Sequence, residues 1–266
     1  MNPEHLQNPE QVLITGASSG IGLELAHCFA ADKSNLILVA RSTEALEKLA
    51  SELRGKYSIQ VQVLTADLSR PEAPKQIFDE LKGRGVVVDV LVNNAGFGLH
   101  GEFAKLPLHR QMEMIKVNVS ALVELTGLFL PGMIERNRGG ILNVGSVAGY
   151  FPGPRMSVYF STKAFVRSFT DGLLEELRGT GISVTNLAPG STDTNFSAVA
   201  RSHYRRQAQS PKMSAAVVAR AGHAGFRKGK AVVVPGAHNW ILAHLIAKFW
   251  PRALVRQLTG KYNKLD

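Results

Sequence analysis

The chain has 266 residues, of which 45% are hydrophobic and 20% charged, values that suit one folded α/β domain and exclude a disordered or low-complexity chain. Its one cysteine, Cys28, excludes an internal disulfide and fits a reducing cytoplasm. The net charge of +10 is uneven: residues 198–266 carry 13 Lys/Arg against one acid, Asp266, whereas residues 1–197 carry 18 against 20. The basicity therefore belongs to the C-terminal quarter. No recognition motif accompanies it, so nucleic acid is not an expected partner.

The polar, acid-bearing start MNPEHLQNPEQ has the pattern of neither a signal nor a transit peptide. Residues 11–15 (QVLIT) form a short apolar run that ends in a glycine turn, and they read as a buried strand. Apolar residues at helical spacing follow over 21–31. The alternation then continues with strands over 35–40, 59–65, 86–92, 140–144, 182–187 and 231–234. Helices are predicted over 43–53, 71–81, 108–135, 157–177 and 215–226. Strands apolar along their whole length, alternating with helices, specify a parallel sheet covered on both faces. The expected fold is one doubly wound Rossmann domain over residues 1–266, with a mostly parallel seven-stranded sheet.

The first strand, the glycines Gly16, Gly20 and Gly22 and the following helix make a dinucleotide-binding context. Glycine permits the tight turn and the close approach of a pyrophosphate to the helix N-terminus. The second strand ends Val39-Ala40-Arg41-Ser42, with no acid at its tip. Arg41 can pair with a 2′-phosphate and Ser42 can donate a hydrogen bond, so NADP(H) is favoured over NAD(H). Further on, Tyr159 and Lys163 are four residues apart within YFSTK, on one helix face. An ammonium beside a phenol favours the phenolate, which suits acid–base work.

Together these segments resemble the short-chain dehydrogenase/reductase family over residues 11–196. TGASSGIG (15–22) matches its TGxxxGxG, and Asp67-Leu68 its adenine-side acid. Asn93-Asn94-Ala95-Gly96 matches its NNAG, and Pro189-Gly190 with Thr194 its PGxxxT. Asn118, Ser146, Tyr159 and Lys163 fall at the family's catalytic tetrad. GFGLHGEF, FLPGM and PGPRMSVYFSTKAFV look like a DltE-type bacterial branch, and are also similar to 3-ketoacyl-CoA and hydroxysteroid reductases. The resemblance implies that Tyr159 is the general acid for reduction and the base for oxidation. Lys163 would lower the tyrosine pKa and hold the nicotinamide ribose, Ser146 would bind the substrate oxygen, and Asn118 would keep a relay water in place. Ser18, Ser19 and Ile21 would line the phosphate turn, Asn93, Ala95 and Gly96 would pack against the cofactor, and Thr192 and Thr194 would meet its carboxamide end or the lid. His100, His109 and Cys28 read as structural, and no metal-ligand spacing appears.

The substrate lid is expected over 191–213, where Arg201, Arg205, Arg206 and Lys212 suit an anionic substrate or a solvated loop. A basic amphipathic extension is expected over 239–266, with His244, Lys248, Arg252 and Arg256 at four-residue spacing. Trp240, Ile241, Leu245, Phe249 and Trp250 supply its apolar side. Such a segment packs on the body, makes a subunit contact or lies on an anionic membrane surface. The stretch 240–249 is too short and charged to span a bilayer, and Pro251 kinks or restarts the helix. The expected activity is NADP(H)-dependent interconversion of a hydrophobic or acyl-type ketone and its secondary alcohol, by a cytoplasmic dimer or tetramer. A hydroxysteroid or broad carbonyl reductase and a non-catalytic NADP-binding regulator are the rivals.

Overall fold

A computed structural model describes residues 9–194, 196 and 212–264. The elements in chain order are β1 (Gln11–Thr15), α1 (Gly20–Ala31), β2 (Asn35–Ala40), α2 (Thr43–Tyr57), β3 (Val61–Thr65), α3 (Ala73–Gly83) and β4 (Val90–Asn93). They continue with α4 (Leu108–Glu135), β5 (Gly139–Val144), α5 (Ser157–Glu176), β6 (Ile182–Leu187), β7 (Thr192–Asp193) and β8 (Met213–Ser214). Then come α6 (Ala215–Arg227), β9 (Val232–Val233), α7 (residues 237–249) and α8 (Arg252–Tyr262).

Seven parallel strands form the sheet, in the order β3-β2-β1-β4-β5-β6-β9. The chain turns back at β1, so β1 and β4 become neighbours, with Val12, Leu13 and Ile14 opposite Val90, Leu91 and Val92. In an open α/β sheet that reversal leaves a crevice beyond the strand C-termini, where a ligand binds. Alternate strand residues face opposite helix layers, so both faces are apolar. Val12, Ile14, Leu36 and Leu38 pack with Leu25, Phe29 and Phe226. Leu13, Ile37, Leu91 and Ile141 pack with Ile77, Leu125 and Phe129 on the other side.

The long helix expected over 108–135 is present, with a π turn at Lys116–Ser120 in its middle. Among the described residues it is the one helix long and apolar enough to cross a membrane. Here it lies on the sheet, with Ala121, Leu125, Phe129 and Met133 buried. The final strand is two residues long rather than four. After it the chain makes the two helices of the extension. They are separated at Trp250, whose ψ of 143° is extended, just before Pro251. Proline removes the N–H that would have carried the first helix onward.

Candidate active site

The glycine turn is closed from below by Asn94. Its side-chain amide donates to Thr15 O at 2.9 Å and Gly16 O at 3.1 Å. Thr15 Oγ1 in turn accepts from the backbone N–H groups of Asn94 and Ala95, both at 3.0 Å. A side chain on Gly22 would put its Cβ 2.4 Å from Asn94 Nδ2 and Gly16 O, and Gly16 adopts φ +65°. Glycine is therefore required at both positions, by contact at one and by backbone conformation at the other. Ser19 precedes α1 without a side-chain cap, and the first turn holds no acid. The free N–H groups there, with the helix dipole, suit a phosphate. Ser18 lies in the turn before α1 and Ile21 in its first turn, and Thr194 Cγ2 lies 3.0 Å from where a Gly20 Cβ would stand. The cradle fits a dinucleotide pyrophosphate.

At the ends of β2 and β3 a cleft of about 470 Å³ is lined by Arg41, Asp67, Arg70 and Gln76. Partial burial works against the Asp67 carboxylate, but hydrogen bonds from Ser69 and the charges of Arg41 and Arg70 outweigh it and lower its pKa. Ser42 caps α2, its Oγ accepting from Ala45 N at 3.3 Å. A hydroxyl that accepts keeps its own proton to donate. Leu68 is buried in the core, so its side chain packs rather than faces the cleft. Asn93 likewise points inward, donating to Asn143 Oδ1 at 2.9 Å and Thr126 Oγ1 at 3.2 Å.

Beyond β5, Ser146 starts a short 3-10 turn. Its Oγ accepts from Ala148 N at 3.1 Å and donates to Pro189 O at 3.3 Å. Gly149 lets that turn sit on α5, where a Cβ would come within 2.5 Å of Lys163 O. Tyr159 and Lys163 project from α5 toward Ser146 and β5. Lys163 Nζ donates to Val144 O at 2.7 Å and lies 3.6 Å from the Cβ position of Gly96. Burial pushes the Tyr159 phenol up to about 12, with the neighbouring Ser146 hydroxyl pulling the other way. Burial pushes Lys163 down to about 8. Burial dominates in this arrangement, so the phenol stands above its ordinary value and not below it as the spacing alone suggests. The amine is turned to a carbonyl, and the Phe196 ring, 5.2 Å away between centroids, covers the phenol.

Asn118 sits in the π turn, 1% exposed. Its Nδ2 donates to Phe97 O at 3.0 Å and Thr162 Oγ1 at 3.1 Å, and its Oδ1 accepts from Phe97 N at 3.0 Å. The side chain is thus occupied in tying the loop after β4 to α4 and α5.

Residues 10–205 match the short chain dehydrogenase family. The chain belongs to that family. It is 42% identical over 190 residues to sulfoacetaldehyde reductase 2 of Chromohalobacter salexigens, covering 71% of this chain and 75% of that one. It is 31% identical over 259 residues to the very-long-chain 3-oxoacyl-CoA reductase of Anas platyrhynchos, covering 95% and 79%. A short-chain dehydrogenase from Sphingobium yanoikuyae, solved with NADPH, superposes with a TM-score of 0.81 at 32% identity, covering 97% and 96%. One from Burkholderia phymatum, solved with NAD, superposes at 0.79 and 26% identity, covering 89% and 91%. The protein is accordingly an oxidoreductase that acts on CH–OH/C=O groups.

Several residues that shape this dehydrogenase's site carry no local sequence signal. Arg70 is one, at the cleft beyond β2 and β3. Phe196 is another: its ring tip stands 2.6 Å from the Cβ position of Gly98, and Met156 Cε stands 3.3 Å from the same point. The extension supplies others. Asn239 Oδ1 lies 2.2 Å from the Cβ position of Gly190, which places α7 against the Pro189-Gly190 turn. Asn263 Nδ2 donates to Pro154 O at 3.0 Å, and Asn263 O is 3.0 Å from His100 Nε2. The extension therefore touches the loops that follow β4, β5 and β6. Thr192 Oγ1 donates to Gly190 O at 3.0 Å, and β7 pairs with β8, which brings Thr192 beside Met213. Arg201, Arg205 and Arg206 lie outside the described residues, and Lys212 is exposed. No metal-binding cluster occurs among the described residues.

Proposed function

We propose that this dehydrogenase is an NADP(H)-dependent enzyme that interconverts a hydrophobic or acyl-type ketone and its secondary alcohol, with Tyr159 as acid and base. The observation that carries the reading is the convergence of Tyr159, Ser146 and buried Lys163 on one spot beside Gly96. The bound nicotinamide supplies or accepts the hydride. During reduction Tyr159 gives its proton to the carbonyl oxygen, which Ser146 orients through its hydroxyl. Lys163 turns from Val144 O toward the ribose and phenol, and its charge then offsets the desolvation that holds the phenol high. Asn118 positions the loop that backs the cofactor.

NADP(H) over NAD(H) rests on two guanidiniums, Arg41 and Arg70, at the adenosine-side cleft. A hydrophobic substrate is supported by Phe196, whose ring stands beside that of Tyr159, and by Met156, which meets the same point at Gly98. The GFGLHGEF and FLPGM stretches support the DltE-type branch. We also read the enzyme as a cytoplasmic homo-oligomer. Leu108 and Met112 of α4 and Phe165 of α5 are exposed on adjoining helices.

The test follows absorbance of NADPH and NADH with ketones, aldehydes, steroids and 3-ketoacyl thioesters, alongside Tyr159→Phe. NADPH-dependent turnover that the variant loses supports the reading, and the substrate that turns over separates the acyl from the steroid case. NADPH binding without turnover of any of them favours a regulator. Light scattering of the purified protein reads the subunit number.

A further inference from the structure

The C-terminal helices have two unlike faces. Inward, Ala243 of α7 and Val255 of α8 are buried, and Asn263 is locked to Pro154 and His100. Outward, Ile241, Leu245 and Phe249 recur at four-residue steps along α7, and Leu254, Leu258 and Tyr262 do the same along α8. All six are at least 41% exposed, and Phe249 reaches 69%. Eight of the sixteen exposed large apolar side chains among the described residues fall between 240 and 262. Such a concentration is unusual on a surface that faces only water.

The charges beside these stripes are of one sign. Lys248, Arg252, Arg256 and Lys261 are exposed, and among the described residues none has an acidic ion-pair partner. The sequence holds no Asp or Glu at all between 194 and 265. A seam between two copies of this face would set cations against cations around the apolar centre. An anionic lipid surface satisfies both properties: headgroup phosphates meet the cations, and the apolar stripes enter the acyl boundary. Trp240 and Trp250, 48% and 41% exposed, suit the headgroup level.

We propose that the outer face of α7 and α8 docks this protein on an anionic phospholipid membrane. The inference is independent of the substrate and of turnover, because its readout is binding. Both tryptophans of the chain lie in this face, so intrinsic fluorescence reports its surroundings directly. The full chain is mixed with phosphatidylglycerol-containing vesicles or with phosphatidylcholine vesicles alone, then followed by emission and cosedimentation. A blue shift with the anionic vesicles, binding that falls several-fold on adding salt, and little binding to phosphatidylcholine are expected. The variant Lys248→Glu/Arg252→Glu/Arg256→Glu, which leaves the apolar stripes intact, should bind more than about tenfold more weakly, since each cation near such a surface contributes on the order of a few-fold. Absence of both shift and cosedimentation in the wild type overturns the proposal. So does a larger species in light scattering without vesicles that Trp250→Ser reduces to a smaller one, because the face is then a subunit seam.

Discussion

The two edges of the sheet are held by different chemistry. At the C-terminal edge, beyond β1, β4 and β5, neutral amides and hydroxyls do the tying: Asn94 to Thr15 and Gly16, Asn118 to Phe97 and Thr162, Asn93 to Asn143. At the N-terminal edge charges do it. Arg227 at the end of α6 donates to both carboxylate oxygens of Glu10, at 2.9 and 2.7 Å, and to Asp32 at 2.8 Å, while His223 sits 2.9 Å from Asp32. Buried neutral networks fix geometry without adding to the charge of Lys163, which stands beside Tyr159. Half-exposed ion pairs far from the site stabilise the fold and leave its potential undisturbed. Function should therefore fail at the C-terminal edge alone, while damage at the N-terminal edge should cost stability and spare function.

The largest effect is expected from Tyr159→Phe, which removes the proton but not the ring. Turnover should drop on the order of 10²–10⁴-fold with the NADPH dissociation constant nearly unchanged, a split that steady-state rates and cofactor titration read together. Gly22→Ala comes next. Its Cβ must displace Asn94 or the Gly16 carbonyl, so overpacking should cost about 1–3 kcal/mol in urea denaturation, and NADPH binding should weaken as the cradle shifts. This is the substitution that tests whether the C-terminal edge is as rigid as its hydrogen bonds indicate. Arg41→Ala should raise the NADPH dissociation constant about tenfold to hundredfold, the worth of a charge-assisted hydrogen bond, and leave NADH unaffected. An equal effect on both cofactors would remove Arg41 from 2′-phosphate recognition.

At the other edge Arg227→Met should cost about 1–2 kcal/mol, between an exposed and a buried pair, with NADPH turnover intact. Lost turnover would erase the contrast. The smallest effect is a pH slope. Burial lowers the His223 pKa from its ordinary 6.5, and Arg227 adds to this while Asp32 opposes it. The unfolded imidazole then takes up its proton at a higher pH than the folded one. Its contribution is thus complete above 6.5 and lost as pH falls toward the folded value. His223→Phe, keeping the ring that meets Phe29 edge-on, should flatten that part of the stability profile.

Much of this was legible in the sequence because it is periodic or local. The strands were read from uninterrupted apolar runs, and six of the seven begin within two residues of where the periodicity puts them or end on the same residue. The one that shifts most is β4, expected from 86 and formed from Val90, because Val86, Val87 and Val88 form the approach to the sheet and not a ladder. The break at Pro251 was visible from the ring's chemistry alone. What was not legible is pairing across long separations. Arg227 meets Glu10 and Asp32 across 217 and 195 residues, and Asn94 reaches Thr15 across 79. The π turn at Lys116–Ser120 was equally silent, since its wider winding goes with the inward anchoring of Asn118 and leaves no mark on apolar spacing. Spacing placed Tyr159 and Lys163 on one face but could not foresee that Phe196 would cover the phenol.

The bond between His100 and Asn263 spans 163 residues and ends three positions before the last residue of the chain. Handling the protein has to respect it. A purification handle or reporter fused after Asp266 would pull on the same segment that braces the loop following β4, and a trimmed C-terminus would leave Pro154 and His100 without their shared anchor. Kinetic constants collected on such material would describe a different substrate side. A fusion at the N-terminus, ahead of β1 and at the opposite edge of the sheet, leaves that brace untouched.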